Sequence, residues 1–112
     1  MKSIQIICTL IIILFSGPVL AQNDTVRIKT SAICDQCKDR IEHDLSFEKG
    51  VKSANLDLTT KVVTVIYNPK KTSEQNIREA ITGIGYDADS LKADLKSYNK
   101  LPECCKHPEK HR

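Results

Sequence analysis

Cys34 and Cys37 stand three apart in the run Thr30-Ser31-Ala32-Ile33-Cys34-Asp35-Gln36-Cys37. Two thiols at that spacing, placed where a helix begins, are brought to one end of it, where the positive end of the helix dipole favours thiolates. Thiolates are the ligands that soft metals prefer. A pair of them suits a low-coordinate Cu(I) or Hg(II), with an open side from which the ion can be handed on. The same electrostatics serve a thiol-disulfide redox pair, and the same spacing permits a structural disulfide. As a staple that disulfide does little, because stabilisation by loop closure grows with loop length and this loop is very short. Metal and redox chemistry both stay open on the motif alone.

A second group of donors closes the chain: Cys104, Cys105, His107 and His111. A disulfide between Cys104 and Cys105 is strained, because neighbouring Cα atoms are ~3.8 Å apart and disulfides favour longer separations. Three readings follow for this tail: it folds back to add ligands to Cys34 and Cys37, it forms its own soft-metal site with the two histidines, or it is a disulfide partner for the first pair. Its spacing lacks the two well-separated ligand pairs of structural zinc sites. His43 is expected on the solvated side of a helix, and Asp35, Asp39, Glu42 and Asp44 read as a solvated helix face that also complements the helix N-terminus. No phosphate-cradling glycine loop, no nucleophile with a spaced base and no carboxylate pair argues for an enzyme.

The elements that must position these residues alternate between two periods. Residues 25–30 read as a strand with Val26 and Ile28 on one face and Arg27 and Lys29 on the other. A helix is expected from Cys34 or Asp35 to Lys49, with Cys37, Ile41 and Leu45 on one stripe and Gly50 as its stop. Residues 51–58 and 61–67 read as strands of a hairpin turning at Thr59-Thr60, and Asn68-Pro69 ends the second. Thr72 and Gln75 suggest a capping box for a helix carrying Ile77, Ile81 and Ile84, which ends at Gly83 and Gly85. A last strand is expected at 86–89. The order is β-α-β-β-α-β, an α+β ferredoxin-like sandwich with a four-stranded antiparallel sheet and two helices on one face. Beyond it, Leu91, Leu95, Tyr98 and Leu101 predict a C-terminal amphipathic helix over 90–101, ended by Pro102 and followed by a charged tail to Arg112.

The chain has 112 residues, room for one ordinary domain, and its 17 Lys+Arg against 14 Asp+Glu give a net charge of +3. That balance is too small and too evenly spread for a nucleic-acid footprint. The first 21 residues have the layout of a signal peptide: Lys2, an apolar stretch over 4–15, the break Ser16-Gly17-Pro18, and small Val19 and Ala21 ahead of cleavage. The apolar stretch is shorter than the ~20 residues of a spanning helix and is interrupted by Gln5 and Thr9. Cleavage after Ala21 discards Cys8 and leaves no stable membrane insertion. The expected divisions are thus a signal peptide at 1–21, a domain at 22–90 and a helix with a Cys/His tail at 91–112, in a protein exported to the periplasm or the extracellular space.

With the Cys-x-x-Cys, the segments Glu48-Lys49-Gly50-Val51, Lys61-Val62-Val63-Thr64-Val65 and Ile84-Gly85-Tyr86-Asp87-Ala88 resemble the heavy-metal-associated domain over about residues 24–90. That family includes copper chaperones, N-terminal modules of metal-exporting ATPases and the exported mercury-binding protein. The resemblance implies the βαββαβ fold, a soft metal held by Cys34 and Cys37, and transfer by ligand exchange with a partner's matching pair. The family usually carries Gly-Met where this chain has Ser31-Ala32, which implies less apolar packing beneath the metal loop. Tyr86 falls where bacterial members often place a tyrosine close to that loop, either screening the metal or closing the sheet as a half-buried aromatic.

The reading is a metal carrier or scavenger, copper first, with Hg(II) and Zn(II) as the other soft ions and Cys104, Cys105, His107 and His111 as further candidate ligands. Its expected partners are a metal-transporting membrane protein or another Cys-x-x-Cys carrier. The alternatives are a mercury scavenger of a resistance system and an envelope thiol-disulfide oxidoreductase. Against the last stand the hairpin directly after the first helix and the absence of Trp or Pro beside the cysteines.

Overall fold

The computed structural model describes residues 22–106; the expected leader at 1–21, with Cys8, and the histidines His107 and His111 lie outside the described residues. In chain order the elements are β1 (Asp24–Lys29), α1 (Asp35–Ser46), β2 (Val51–Asp57), β3 (Val62–Tyr67), α2 (Glu74–Ile84), α3 (Leu95–Asn99) and a 3-10 turn, Glu103–Cys105. The strands form an antiparallel sheet in the order β1-β3-β2. Strand alternation sends Val26, Ile28, Leu56, Val63, Val65 and Tyr67 to one face, where they join Cys37, Ile41 and Leu45 of α1 and Ile77 and Ile81 of α2 in one core. The opposite face, with Arg27, Ser53 and Asn55, is exposed. Among the described residues no helix is long and apolar enough to cross a membrane.

Three sequence expectations are corrected here. Among the described residues the sheet has three strands rather than four. Residues 86–89 come alongside the end of β1, but their ladder is the isolated bridge Thr30↔Ala88 just beyond it. Asp89 then takes a positive φ of 52° and the Leu91 N–H returns to the Ala88 carbonyl at 2.9 Å, so the chain turns away before a ladder can grow. Asp89 completes the edge with its side chain instead: its Oδ1 accepts from the Lys29 N–H at 2.9 Å, its own N–H donates to the Lys29 carbonyl at 2.8 Å, and Arg78 Nε donates to Oδ2 at 2.9 Å. The helix expected over 90–101 is shortened to Leu95–Asn99, because Asp94 caps it by accepting from the Ser97 N–H; Leu95 is left exposed while Tyr98 and Leu101 are buried. The cap of α2 is Ser73, whose hydroxyl accepts from the Asn76 N–H at 3.1 Å, rather than Thr72.

Glu42 also departs from the solvated helix face expected of it. It accepts the Leu56 N–H at 2.7 Å while its ion-pair partner Lys38 donates to the Leu56 carbonyl at 2.9 Å. This pair satisfies backbone groups on the free edge of β2, a strand edge that would otherwise be open to pairing. It also fixes the N-terminal half of α1, and with it the cysteine loop, against the sheet.

Candidate metal centre

The loop between β1 and α1 is held by short local bonds. The Thr30 hydroxyl donates to the Lys61 carbonyl at 2.8 Å and accepts from the Ala32 N–H at 3.2 Å, while the Ser31 hydroxyl accepts from the Asp87 N–H at 2.9 Å. Ala32 is fully buried in the same core as Cys37 and Cys105. The chain then enters α1 through Cys34, whose extended backbone makes it the N-cap, and Cys37 follows in the first turn. Helical spacing thereby turns both sulfurs to one end of α1, with Sγ atoms 3.1 Å apart. Both are free thiols, Cys37 buried and Cys34 partly exposed.

The tail comes back to this point. Beyond α3, Pro102 opens the 3-10 turn and its carbonyl accepts from the Cys105 N–H at 2.9 Å. Cys105 is 1% exposed, and its Sγ lies 3.7 Å from that of Cys34. Cys104 stays on the surface, 4.0 Å from the Cys105 sulfur, and its thiol donates to the Gln36 Oε1 at 3.1 Å. The sulfurs of Cys34, Cys104 and Cys105 all lie within 4.8 Å of one another. The tail folds back on the first pair, as both the added-ligand and the disulfide-partner readings require; the reading with His107 and His111 lies outside the described residues. His43 is apart from the cluster, its side chain 70% exposed and paired with Asp44.

Tyr86 closes the centre from below. It is fully buried, and its hydroxyl has no hydrogen bond of good geometry among the described residues, although the Cys37 and Cys105 sulfurs are its polar neighbours. The half-buried, wet-hydroxyl reading of this side chain is therefore corrected.

Ionisation differs across the cluster. Burial pushes the Cys34 thiol up, but hydrogen bonding from Cys37, Cys105 and Cys104 outweighs it and leaves Cys34 below the ordinary cysteine value. The Cys34 sulfur makes no close capping bond to the first turn, so the help from the Cys37 N–H is the electrostatic help of a helix N-terminus. Burial, with Cys37 adding to it, pushes Cys105 well up, and burial together with Cys34 raises Cys104. Tyr86 is also driven far up by burial, so its hydroxyl remains a proton donor. Cys34 thus ionises more readily than either tail cysteine, Cys104 or Cys105.

Sequence reasoning found the four sulfurs but missed the burial of Cys105, its approach to Tyr86 and the contact of Cys104 with Gln36. A signal was present: Tyr98, Leu101 and Cys105 continue the apolar helical spacing through Pro102, and all three are buried.

Residues 27–87 match the family profile of the Heavy-metal-associated domain. Copper-transporting ATPase 1 of Rattus norvegicus is 43% identical over 63 residues, which are 56% of this chain and 4% of that protein. This chain therefore corresponds to only a small part of that relative's length. Among solved structures, a CopZ metallochaperone superposes with a TM-score of 0.56 at 29% identity, covering 58% of this chain and 98% of that one. Oxidized MerP from Ralstonia metallidurans CH34 shares the fold, with a TM-score of 0.58 at 23% identity over 61% of this chain and 96% of that one.

Proposed function

Because this chain belongs to the heavy-metal-associated domain family, we propose that it binds a soft metal ion, Cu(I) first, between Cys34 and Cys37 and carries or sequesters it outside the cytoplasm. The observation that carries this is the pairing of two free sulfurs 3.1 Å apart at the N-terminus of α1, one buried and one partly exposed. The buried Cys37 anchors the ion to the core. The partly exposed Cys34, whose thiol is held below the ordinary cysteine value by hydrogen bonds from its cysteine neighbours, is the side on which exchange takes place. A partner's thiolate adds to the ion there, the bond to Cys34 then breaks, and Cys34 recovers a proton as the incoming thiol loses one. The acceptor is a metal-transporting membrane protein or another Cys-x-x-Cys carrier, and no catalysis is involved. Relatives named for copper transport and metallochaperone action support copper as the cargo. Export rests on the signal-peptide layout of residues 1–21.

The test is an anaerobic Cu(I) titration of residues 22–112 against a chromophoric competitor, with Cys34→Ser, Cys37→Ser and the double variant. The double variant should lose tight Cu(I) binding. If it keeps the full load at unchanged affinity, the pair is not the site. Reduction of a disulfide substrate by a protein that binds no metal tightly would replace this function with oxidoreductase chemistry.

A further inference from the structure

The geometry points to a second metal arrangement in which Cys34, Cys104 and Cys105 hold one divalent soft ion as a three-thiolate site. It rests on the reading of Cys34 as a metal thiolate and extends it to the tail. With metal-sulfur bonds of about 2.3 Å, three thiolates in a plane around one ion sit about 4.0 Å apart, and two in a line about 4.6 Å apart. The observed separations are 3.7 Å for Cys34 and Cys105, 4.0 Å for Cys104 and Cys105, and all three sulfurs within 4.8 Å. The first two match the three-thiolate figure, and the bound on the third keeps Cys34 and Cys104 within reach of the same ion. Cys34 and Cys37, at 3.1 Å, must move apart before they can hold an ion in a line between them.

A second observation is independent of the sulfurs. The Tyr86 hydroxyl is buried without a good hydrogen bond, and the Cys105 sulfur is one of its polar neighbours. A neutral thiol is a weak acceptor, whereas a thiolate is a strong one, so metal binding at Cys105 supplies the partner this donor lacks. In the metal-free state Gln36 Oε1 accepts from the Cys104 thiol and keeps that sulfur near the cluster, a bond given up when the thiol loses its proton to the site.

Charge selects the ion. Each thiol that joins the metal releases its proton to solvent. Three thiolates leave a net charge of −1 around a divalent ion and −2 around Cu(I). Cys105 is 1% exposed, and the added charge of the monovalent complex is the more expensive to bury. The tail therefore favours a divalent soft ion over Cu(I), and Cys34 is shared between the two arrangements.

Cd(II) is the probe, because its thiolate charge-transfer absorption grows with the number of bound thiolates. Residues 22–112 should bind one Cd(II) with three thiolates. Cys104→Ser, a surface change that leaves the core intact, should remove one thiolate's share of the absorption. It should also weaken Cd(II) binding by at least the tenfold or so that losing even an outer partner of a metal site costs. Cys105→Ser should act alike, with circular dichroism checking its fold, while Cu(I) affinity changes little in both. Cys37→Ser should lose tight Cu(I) binding and keep Cd(II). Wild-type Cd(II) absorption and affinity in both tail variants would overturn the inference. If Cu(I) binding is then still lost in the Cys34→Ser, Cys37→Ser double variant, the paired site stands without the tail; if Cu(I) binding survives there, the paired site falls as well.

Discussion

Replacing Tyr86 by Phe should move two measurements in opposite directions. In the metal-free protein the hydroxyl is buried without a good hydrogen bond, and its nearest polar groups are thiols. Burying an unpaired hydroxyl costs about 1–3 kcal/mol, and the weak acceptance of neutral sulfur places this one near the lower figure. Removing it should stabilise the apo protein by about 1 kcal/mol, a rise in Tm of about 4–8 °C for a domain of this size. In the loaded protein the same hydroxyl donates to a thiolate, and a hydrogen bond to a charged group contributes about 1.5–3 kcal/mol. Taking the lower figure, the variant loses about 1.5 kcal/mol when loaded and gains about 1 kcal/mol when empty, a difference of about 2.5 kcal/mol or about sixtyfold in metal affinity. Thermal denaturation of the reduced apo protein and competitive titration with Cu(I) and Cd(II) read the two effects. An apo Tm that is unchanged or lower, together with unchanged affinity for both ions, would refute the reasoning. A purely structural tyrosine would give that result.

Two further outcomes test the scaffold around the centre. Gly85 has φ of +121°, and a Cβ there would lie 3.0 Å from the Ser97 carbonyl oxygen; Gly85→Ala should cost about 1–3 kcal/mol in strain and, by pushing α3 away, lower Cd(II) affinity more than Cu(I) affinity. Burial raises the Asp89 carboxyl, but the Arg78 guanidinium and the Lys29 N–H outweigh it and hold it below the ordinary aspartate value. Its stabilisation is therefore full above the unfolded value of ~3.9 and is lost as pH falls through the lower folded one. Urea unfolding midpoints measured from pH 5 downward should fall less steeply in Asp89→Asn than in wild type, and parallel curves would exclude this role.

Much of this architecture is legible in the residue pattern, where burial enforces the period. Cys37, Ile41 and Leu45 fall on one stripe of α1, and the alternation of Val26 and Ile28 in β1 is that of a strand buried on one side. What escaped depends on interactions between distant residues. The pairing capacity of residues 86–89 is cut short by the backbone turn at Asp89 and by Arg78, partners that no local propensity reveals. Glu42 looks like one acid among several on a helix, and only the free edge of β2 gives it a backbone partner. The thiol pair was readable from spacing and the helix start. The place of Cys105 is marked in the sequence only by its apolar spacing from Tyr98 and Leu101, because Pro102 reads as a helix end but here opens a new turn.

The seat of Cys105, 71 positions along the chain from Cys34, changes what an acceptor must do. A thiol on the same chain competes at an effective concentration set by its tether, of order millimolar for short flexible connections and higher where the connection is folded. For a divalent ion held by the tail as inferred above, an outside protein at micromolar concentration that offers one sulfur is outnumbered at Cys34 by the neighbour already in place. The acceptor proposed above would gain such an ion only by presenting both of its thiols in one encounter, so that its second bond is also intramolecular. Under that inference the folded tail would filter exchange: isolated thiols in solution would be poor recipients, and a matching pair on a folded surface the competent one.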